Sequence, residues 1–173
     1  MIEFIGQVIG FLALLVVVIA YQVFEDRHFY ALKGLTYALL GIHFAMIGAL
    51  TGALQEIVNT ARNLGFLAGY QRCTIIGAIF FYAAFGAITI ETTTDILPVI
   101  SNIACSLAML FLTGLSLRIV YWSGGLLWLI YTFANGAYTG FIVESLVWFS
   151  ATVGIIRMIK TGYSPAITHT KPH

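Results

Sequence analysis

Glu56, Asn59, Arg62 and Asn63 follow one another at steps of three, three and one, so on a helix they form a single polar stripe. A carboxylate, a guanidinium and two amides on one face can hold a polar solute, pass a proton, or bridge to a neighbouring helix. The stretch around them is apolar, and on insertion scales a charge at mid-depth in hydrocarbon costs about 2.5–3.5 kcal/mol. Each such group therefore needs a partner or a task. Further candidates of the same kind are His43, Asn102 beside Ser101, Trp128 with Tyr131, Asn135 and Glu144.

The chemistry these residues do not suggest is also informative. There is no His-Glu-x-x-His, no Gly-x-Ser-x-Gly, no phosphate-binding glycine loop and no aspartate pair on facing segments. Cys73 and Cys105 fall at different depths and lack metal-ligand spacing with the histidines. No catalytic residue, cofactor or metal site is expected, and the chain is read as a non-enzyme.

The elements that must position these groups follow from composition. Of 173 residues, 60% are hydrophobic and 9% charged, with a net charge of +1. A soluble domain carries about a quarter charged residues, so a water-facing globule is excluded. Nucleic-acid binding, which needs a concentrated basic surface, is excluded too. An integral membrane protein surrounded by lipid remains. Ile9 to Ala20 is continuously apolar without alternation, which favours helices over a membrane barrel. The N-terminal Met1-Ile2-Glu3-Phe4 lacks a basic segment and no cleavage pattern follows, so the first apolar run is read as retained.

Breaking the chain at polar clusters and glycines predicts seven spans: 2–23, 30–50, 54–70, 74–91, 96–112, 118–135 and 138–157. Arg27, Lys33, Arg72, Arg118, Arg157, Lys160 and Lys171 then all fall on one side. By the positive-inside rule that side is the cytoplasm, which puts the N-terminus outside and the C-terminus inside. Tyr121 and Trp122, near the same side, are expected as interfacial belt residues.

Gly48-Ala49-Leu50-Thr51-Gly52-Ala53-Leu54-Gln55-Glu56 aligns without gaps on Gly136-Ala137-Tyr138-Thr139-Gly140-Phe141-Ile142-Val143-Glu144. Each copy sits between the second and third helix of a group. The expected architecture is an all-α membrane protein of 3+1+3 helices. A triple-helix bundle at 1–70 and another at 96–160 would be parallel repeats, joined by a linker span at 74–91. Residues 161–173 are expected to form a flexible cytoplasmic tail. An odd linker crossing is what makes two three-helix repeats parallel. The Gly-x-x-x-Gly spacings, including Gly6/Gly10 and Gly65/Gly69, suit close helix approach or tight turns.

Within that frame Glu144 is the repeat mate of Glu56, Ser150 of Arg62, and Tyr131 of His43. His43, Asn59, Arg62, Asn102, Trp128, Tyr131 and Glu144 come from both repeats near the midplane, and we read them as lining a shared polar cavity that binds solute. For Arg62 a structural bridge to Glu144 or Glu56 stands beside a role in ligand or proton handling. For His43 the alternative is packing, and for Trp128 and Tyr131 it is a place in the core.

Gly41-Ile42-His43-Phe44, Asn59-x-x-Arg62, Leu97-Pro98-Val99-Ile100, Trp128, Gly140 with Glu144, and Ile155-Ile156-Arg157 together carry a resemblance. Over roughly residues 5 to 160 the chain resembles the YgjV family of bacterial inner-membrane proteins. That family is similar in architecture to SWEET sugar transporters, PQ-loop proteins and PnuC vitamin transporters. The resemblance implies residence in the bacterial inner membrane and two triple-helix bundles around a central site opened alternately to each side. No Pro-Gln dipeptide occurs and Pro98 is the only proline in a span, so rocking would flex at glycines such as Gly41 or Gly125.

The expected function is transport of a small polar metabolite (a sugar, a nucleoside or a vitamin-like solute). The alternative is a non-transporting receptor or assembly protein with a structural polar core. Lipid, a small-molecule solute and a second copy of the chain are the expected partners.

Overall fold

A computed structural model describes residues 2–46, 50–89, 93–134 and 138–162. The described residues form seven α-helices: α1 (Ile2–Ala20), α2 (Asp26–Met46), α3 (Leu50–Leu67), α4 (Gln71–Thr89), α5 (Ile96–Phe111), α6 (Gly114–Ala134) and α7 (Tyr138–Thr161). A single 3-10 turn, Thr93–Asp95, precedes α5, and no strand occurs among the described residues. At 1.5 Å per residue, helices of 16 to 24 residues run about 24–36 Å, the thickness of a bilayer core.

The outer surface is apolar. Phe11, Ile57, Leu64, Phe80, Phe111, Ile142 and Phe149 are all exposed, while Glu56, Asn59, Arg62, Asn63 and Asn102 are buried. Such an inversion suits lipid outside and polar groups within. Among the described residues, three stretches are long and apolar enough to cross a membrane by themselves: Gln71–Ile88, Thr93–Phe111 and Phe141–Thr161. Ile5–Ala20 is apolar but shorter. Helices α2, α3 and α6 are not among these stretches, and α2 and α3 carry buried polar groups, Lys33, Thr36, Glu56, Asn59, Arg62 and Asn63.

The helices pack as a ring in chain order. In the first three, α2 lies between α1 and α3; in the last three, α6 lies between α5 and α7. Helix α4 joins α3 to α5, and α1 meets α7 to close the ring. The start of α2 (26) recurs 88 positions later at the start of α6 (114). The same offset relates Glu56 to Glu144. Helix α4 also has an interior face: Ile75, Ala78 and Tyr82 are buried along it.

Sequence signals account for the turns. After α3, Gly69 takes φ +90°, and the Tyr70 amide donates to the Gly65 carbonyl at 2.9 Å, a Schellman closure that only glycine enters without strain. The neighbouring Gly65 faces Thr74 of α4 so closely that a Cβ would collide with its side chain. One glycine of the Gly65/Gly69 pair thus serves helix approach and the other serves the turn. The repeat signature around Gly48 and Gly136, Asn135, and most of the tail lie outside the described residues.

One end of the ring is solid. Val17, Ala20, Tyr21, Phe29, Tyr30, Ile75, Ala108, Met109, Leu117, Tyr121 and Ala151 form a single apolar cluster there. The Phe29 ring meets Tyr21 at 5.6 Å and Tyr121 at 5.2 Å, both edge-on. Across the same end Asp26, at the start of α2, pairs with Arg118 at 3.2 Å and accepts the Gly114 amide of α6 at 2.7 Å. Gln22 donates to the Ser150 carbonyl at 2.9 Å and accepts from Arg157 at 2.8 Å. These contacts tie the α1–α2 turn to α6 and α7.

Candidate functional site

A cavity of about 1290 Å³ occupies the rest of the ring. Its wall includes His43, Asn59, Arg62, Asn102, Trp128, Tyr131 and Glu144, all seven residues singled out from sequence. They reach it from α2, α3, α5, α6 and α7. It runs from the apolar plug, where Tyr21 and Tyr121 form the floor, toward Gln7, Ile88 and Asp95. Gln7 and Ile88, at the end away from the plug, are exposed residues.

The stripe on α3 organises one wall. Asn59 donates to Glu56 at 3.3 Å and accepts the Tyr82 hydroxyl of α4 at 2.5 Å. Asn63 donates to the Asn59 carbonyl at 2.8 Å, an in-helix bond that keeps its amide off the cavity wall. Arg62 is 1% exposed and donates from Nη1 to the Ser106 hydroxyl of α5 at 2.7 Å. That hydroxyl in turn donates to the Asn102 carbonyl at 2.6 Å. The expected bridge from Arg62 to Glu56 or Glu144 is not among the ion pairs of the described residues, which are His28–Glu25 and Arg118–Asp26. The Arg62 Nε and the Asn102 amide nitrogen are buried without a hydrogen-bond partner.

His43 is fixed by its other neighbour, α1. Its Nδ1 donates to the Gly6 carbonyl at 2.8 Å, and its ring lies on Gly10, where a Cβ would stand 3.0 Å from Nδ1. The Gly6/Gly10 spacing therefore admits an imidazole rather than a helix backbone. With Nδ1 carrying the proton, the neutral ring keeps Nε2 as an acceptor. Trp128 and Tyr131 meet edge-on at 5.8 Å on α6. Glu144 on α7, Glu56 on α3 and Lys33 on α2 line the same cavity.

Lys33 overturns an expectation. Rather than marking the basic surface, it is 7% exposed and lines the cavity. Its ammonium stands 4.6 Å from the Tyr37 ring centroid, 5.4 Å from Tyr21 and 5.8 Å from Tyr121, three cation–π contacts. Tyr121 and Trp122 are likewise not belt residues. Tyr121 is buried in the cavity floor, and Trp122 stacks on Trp148 at 4.9 Å while donating to Thr152 at 2.9 Å. Arg118 is buried too, its guanidinium 3.4 Å above the Phe29 ring. A basic residue near a helix end has a ready explanation in water, which hid these inward ones. Two signals were available: the 88-residue offset pairs Lys33 with Tyr121, and Tyr37 follows Lys33 by one helical turn.

A family model described as a bacterial inner membrane protein, Imp-YgjV, matches residues 4–162. The chain belongs to the YgjV family. Inner membrane protein YgjV of Escherichia coli (strain K12) is 26% identical over 164 residues, covering 93% of this chain and 90% of the relative. Membership of the YgjV family, with the apolar exterior of the ring, assigns this chain to the inner membrane. No solved structure matches it significantly.

Proposed function

We propose that the protein is an alternating-access transporter of a small polar metabolite, held between α1–α3 and α5–α7 and observed closed at the basic end. The observation that carries this reading is the cavity, walled by polar groups of both triplets, plugged at one end and lined by the exposed Gln7 and Ile88 toward the other. Two three-helix units offset by 88 residues and joined by α4 supply bodies that can rock. The contacts Asp26–Arg118 and Gln22–Arg157 supply a latch that must open when the cavity turns inward. With the N-terminus outside, the end opposite the plug faces away from the cytoplasm. The SWEET-like arrangement of the repeats belongs to this proposal and rests on sequence pattern and helix order.

A receptor or assembly protein with a self-satisfied polar core is the second reading. Arg62 held by a serine hydroxyl instead of a carboxylate speaks against it. Uptake of radiolabelled solutes into proteoliposomes tests transport. In parallel, Gln55→Cys in a Cys73→Ser background should react with an impermeant thiol reagent from the outer face only. Reaction from the inner face alone, or no uptake of any metabolite class, would defeat the proposal.

A further inference from the structure

The ionisable groups of the cavity are not scattered. Gly34 of α2 faces Asn63 of α3, with a Cβ there 3.4 Å from Asn63 Cβ, so Lys33 and Arg62 share one level. Gly41 faces Glu56 in the same way at 3.5 Å, two helical turns further from the plug. On the other side of the ring, Gly125 of α6 lies against Trp148 of α7 and Gln22 reaches Ser150, which sets Glu144 about level with Trp128 and well above Tyr21. Two tiers result. Lys33 and Arg62 lie near the floor among Tyr21, Tyr37, Tyr82 and Tyr121. Glu56 and Glu144 lie above them, one on each side.

From Arg62 to Glu56 is six residues of α3, about 9 Å along the axis. A core built only to neutralise itself would bring these charges into contact, because isolated charges in hydrocarbon are costly. Instead none of the four forms an ion pair among the described residues, and the cavity lies between them. With a charge-assisted hydrogen bond of about 2.8 Å at each tier, backbone levels spaced this way suit a compact solute whose two poles lie a few ångströms apart.

Resting on the transport reading, we propose that the ligand is a small zwitterion with an anionic group and a cationic group a few ångströms apart, as in an α-amino acid. Its carboxylate points to Lys33 and Arg62 and its ammonium to Glu56 and Glu144. Among the buried donors without hydrogen-bond partners, Arg62 Nε, the Asn102 amide and the Tyr121 hydroxyl belong to residues of the cavity wall, and they are available to the anionic group. Trp128 and Tyr131 meet the side chain, and His43 Nε2 can accept a bond from a polar one.

The test uses the full-length protein in detergent, with thermal stabilisation by an equimolar mixture of the twenty protein amino acids, then by each alone. For the amino acid that binds, its methyl ester and its N-acetyl derivative are measured beside it, with glucose as a neutral polar probe. Removing either charge from the ligand should weaken binding about tenfold or more. Lys33→Gln and Glu144→Gln should each do the same, with monodispersity as the folding control. The ligand derivatives give an answer even where a variant fails to fold. Equal binding of the blocked derivatives, binding of glucose alone, or no binding by any probe would each overturn the zwitterion. A zwitterion that binds but is not taken up by proteoliposomes would sustain this inference and overturn transport instead.

Discussion

The two triplets of helices share a layout and differ in what they contribute to the cavity. At matching positions 88 residues apart, the first lines it with Lys33, His43, Glu56 and Arg62, and the second with Tyr121, Tyr131 and Glu144, while Ser150, opposite Arg62 in this numbering, lies off the cavity wall. Only the glutamate occurs in both. The first unit supplies the charge and the second mainly supplies rings and hydroxyls. The matched residues also meet: Lys33 lies 5.8 Å from the Tyr121 ring, and Asp26 accepts the amide of Gly114, its own counterpart. A cavity between two triplets of helices need not be lined symmetrically. On the proposed function, the charged wall would hold the polar ends of a solute and the aromatic wall its apolar surface.

Exchanging matched residues is the strongest way to break this comparison. Ser150 is buried, donates to the Val18 carbonyl at 3.1 Å and accepts from Gln22 at 3.0 Å. Ser150→Arg would force a guanidinium into that seam, combining overpacking with an unpaired charge. A stability loss of about 3–5 kcal/mol is expected, read as a drop in Tm in detergent and a lower monodisperse yield. If Ser150→Arg folds normally and rescues Arg62→Ser, the units are interchangeable and the asymmetry has no functional meaning.

Arg62→Ser alone makes the first unit resemble the second. It removes the Arg62–Ser106 bond together with a cation of the lower tier. Uptake should fall about a hundredfold, the loss of one or two charge-assisted hydrogen bonds. Stability should move less, because deleting an isolated buried charge also removes its desolvation cost. Initial uptake rates against Tm separate the two effects. Uptake within twofold of the parent would show that the charge asymmetry is structural.

The latch gives a smaller effect, and it sharpens where the units touch. Asp26→Asn keeps an acceptor for the Gly114 amide and removes the charge opposite Arg118, whose side chain is almost wholly buried. About 1–3 kcal/mol should be lost, and a double-mutant cycle with Arg118→Gln should show a coupling of about 1–2 kcal/mol. A coupling near zero would mean that the Phe29 ring under the guanidinium, rather than Asp26, holds Arg118 in place.

How much of this was legible in the sequence follows from what a hydropathy pattern can register. A polar residue inside an apolar run is conspicuous, which is why the seven site residues chosen on that ground line one cavity. Lys33, Tyr37 and Tyr121 escaped because an ionisable or hydroxylated residue near a span end fits a water-facing belt equally well, and depth alone does not tell which way a side chain faces. Span ends moved by up to four residues for a related reason. Hydropathy marks the hydrocarbon and not the helix: α6 begins at Gly114 and α7 runs on to Thr161, beyond the expected spans, whereas α1 stops at Ala20 although Val23 is still apolar. The partner of Arg62 was beyond reach, since two glutamates were plausible and Ser106 carries no signal of its own.

The smallest expected effect probes the outer part of the comparison, where the two units solve one packing problem in opposite ways. In the first, the small residue lies on α1 and the side chain comes from α2: Gly10 receives the His43 ring. In the second, the small residue lies on α6 and the side chain comes from α5: a Cβ on Gly124 would stand 2.7 Å from the Ser101 hydroxyl. Gly10→Ala puts a methyl 3.0 Å from His43 Nδ1, so the ring must yield by a few tenths of an ångström and its bond to Gly6 must lengthen. A Tm change equivalent to less than about 1 kcal/mol is expected, since alanine also favours the helix. Solute affinity should weaken a few-fold if Nε2 touches the ligand, and His43→Gln, which keeps an acceptor, should restore part of it in the Gly10→Ala background. A Gly10→Ala protein with unchanged affinity would make His43 a packing residue and leave the outer tier to the two glutamates.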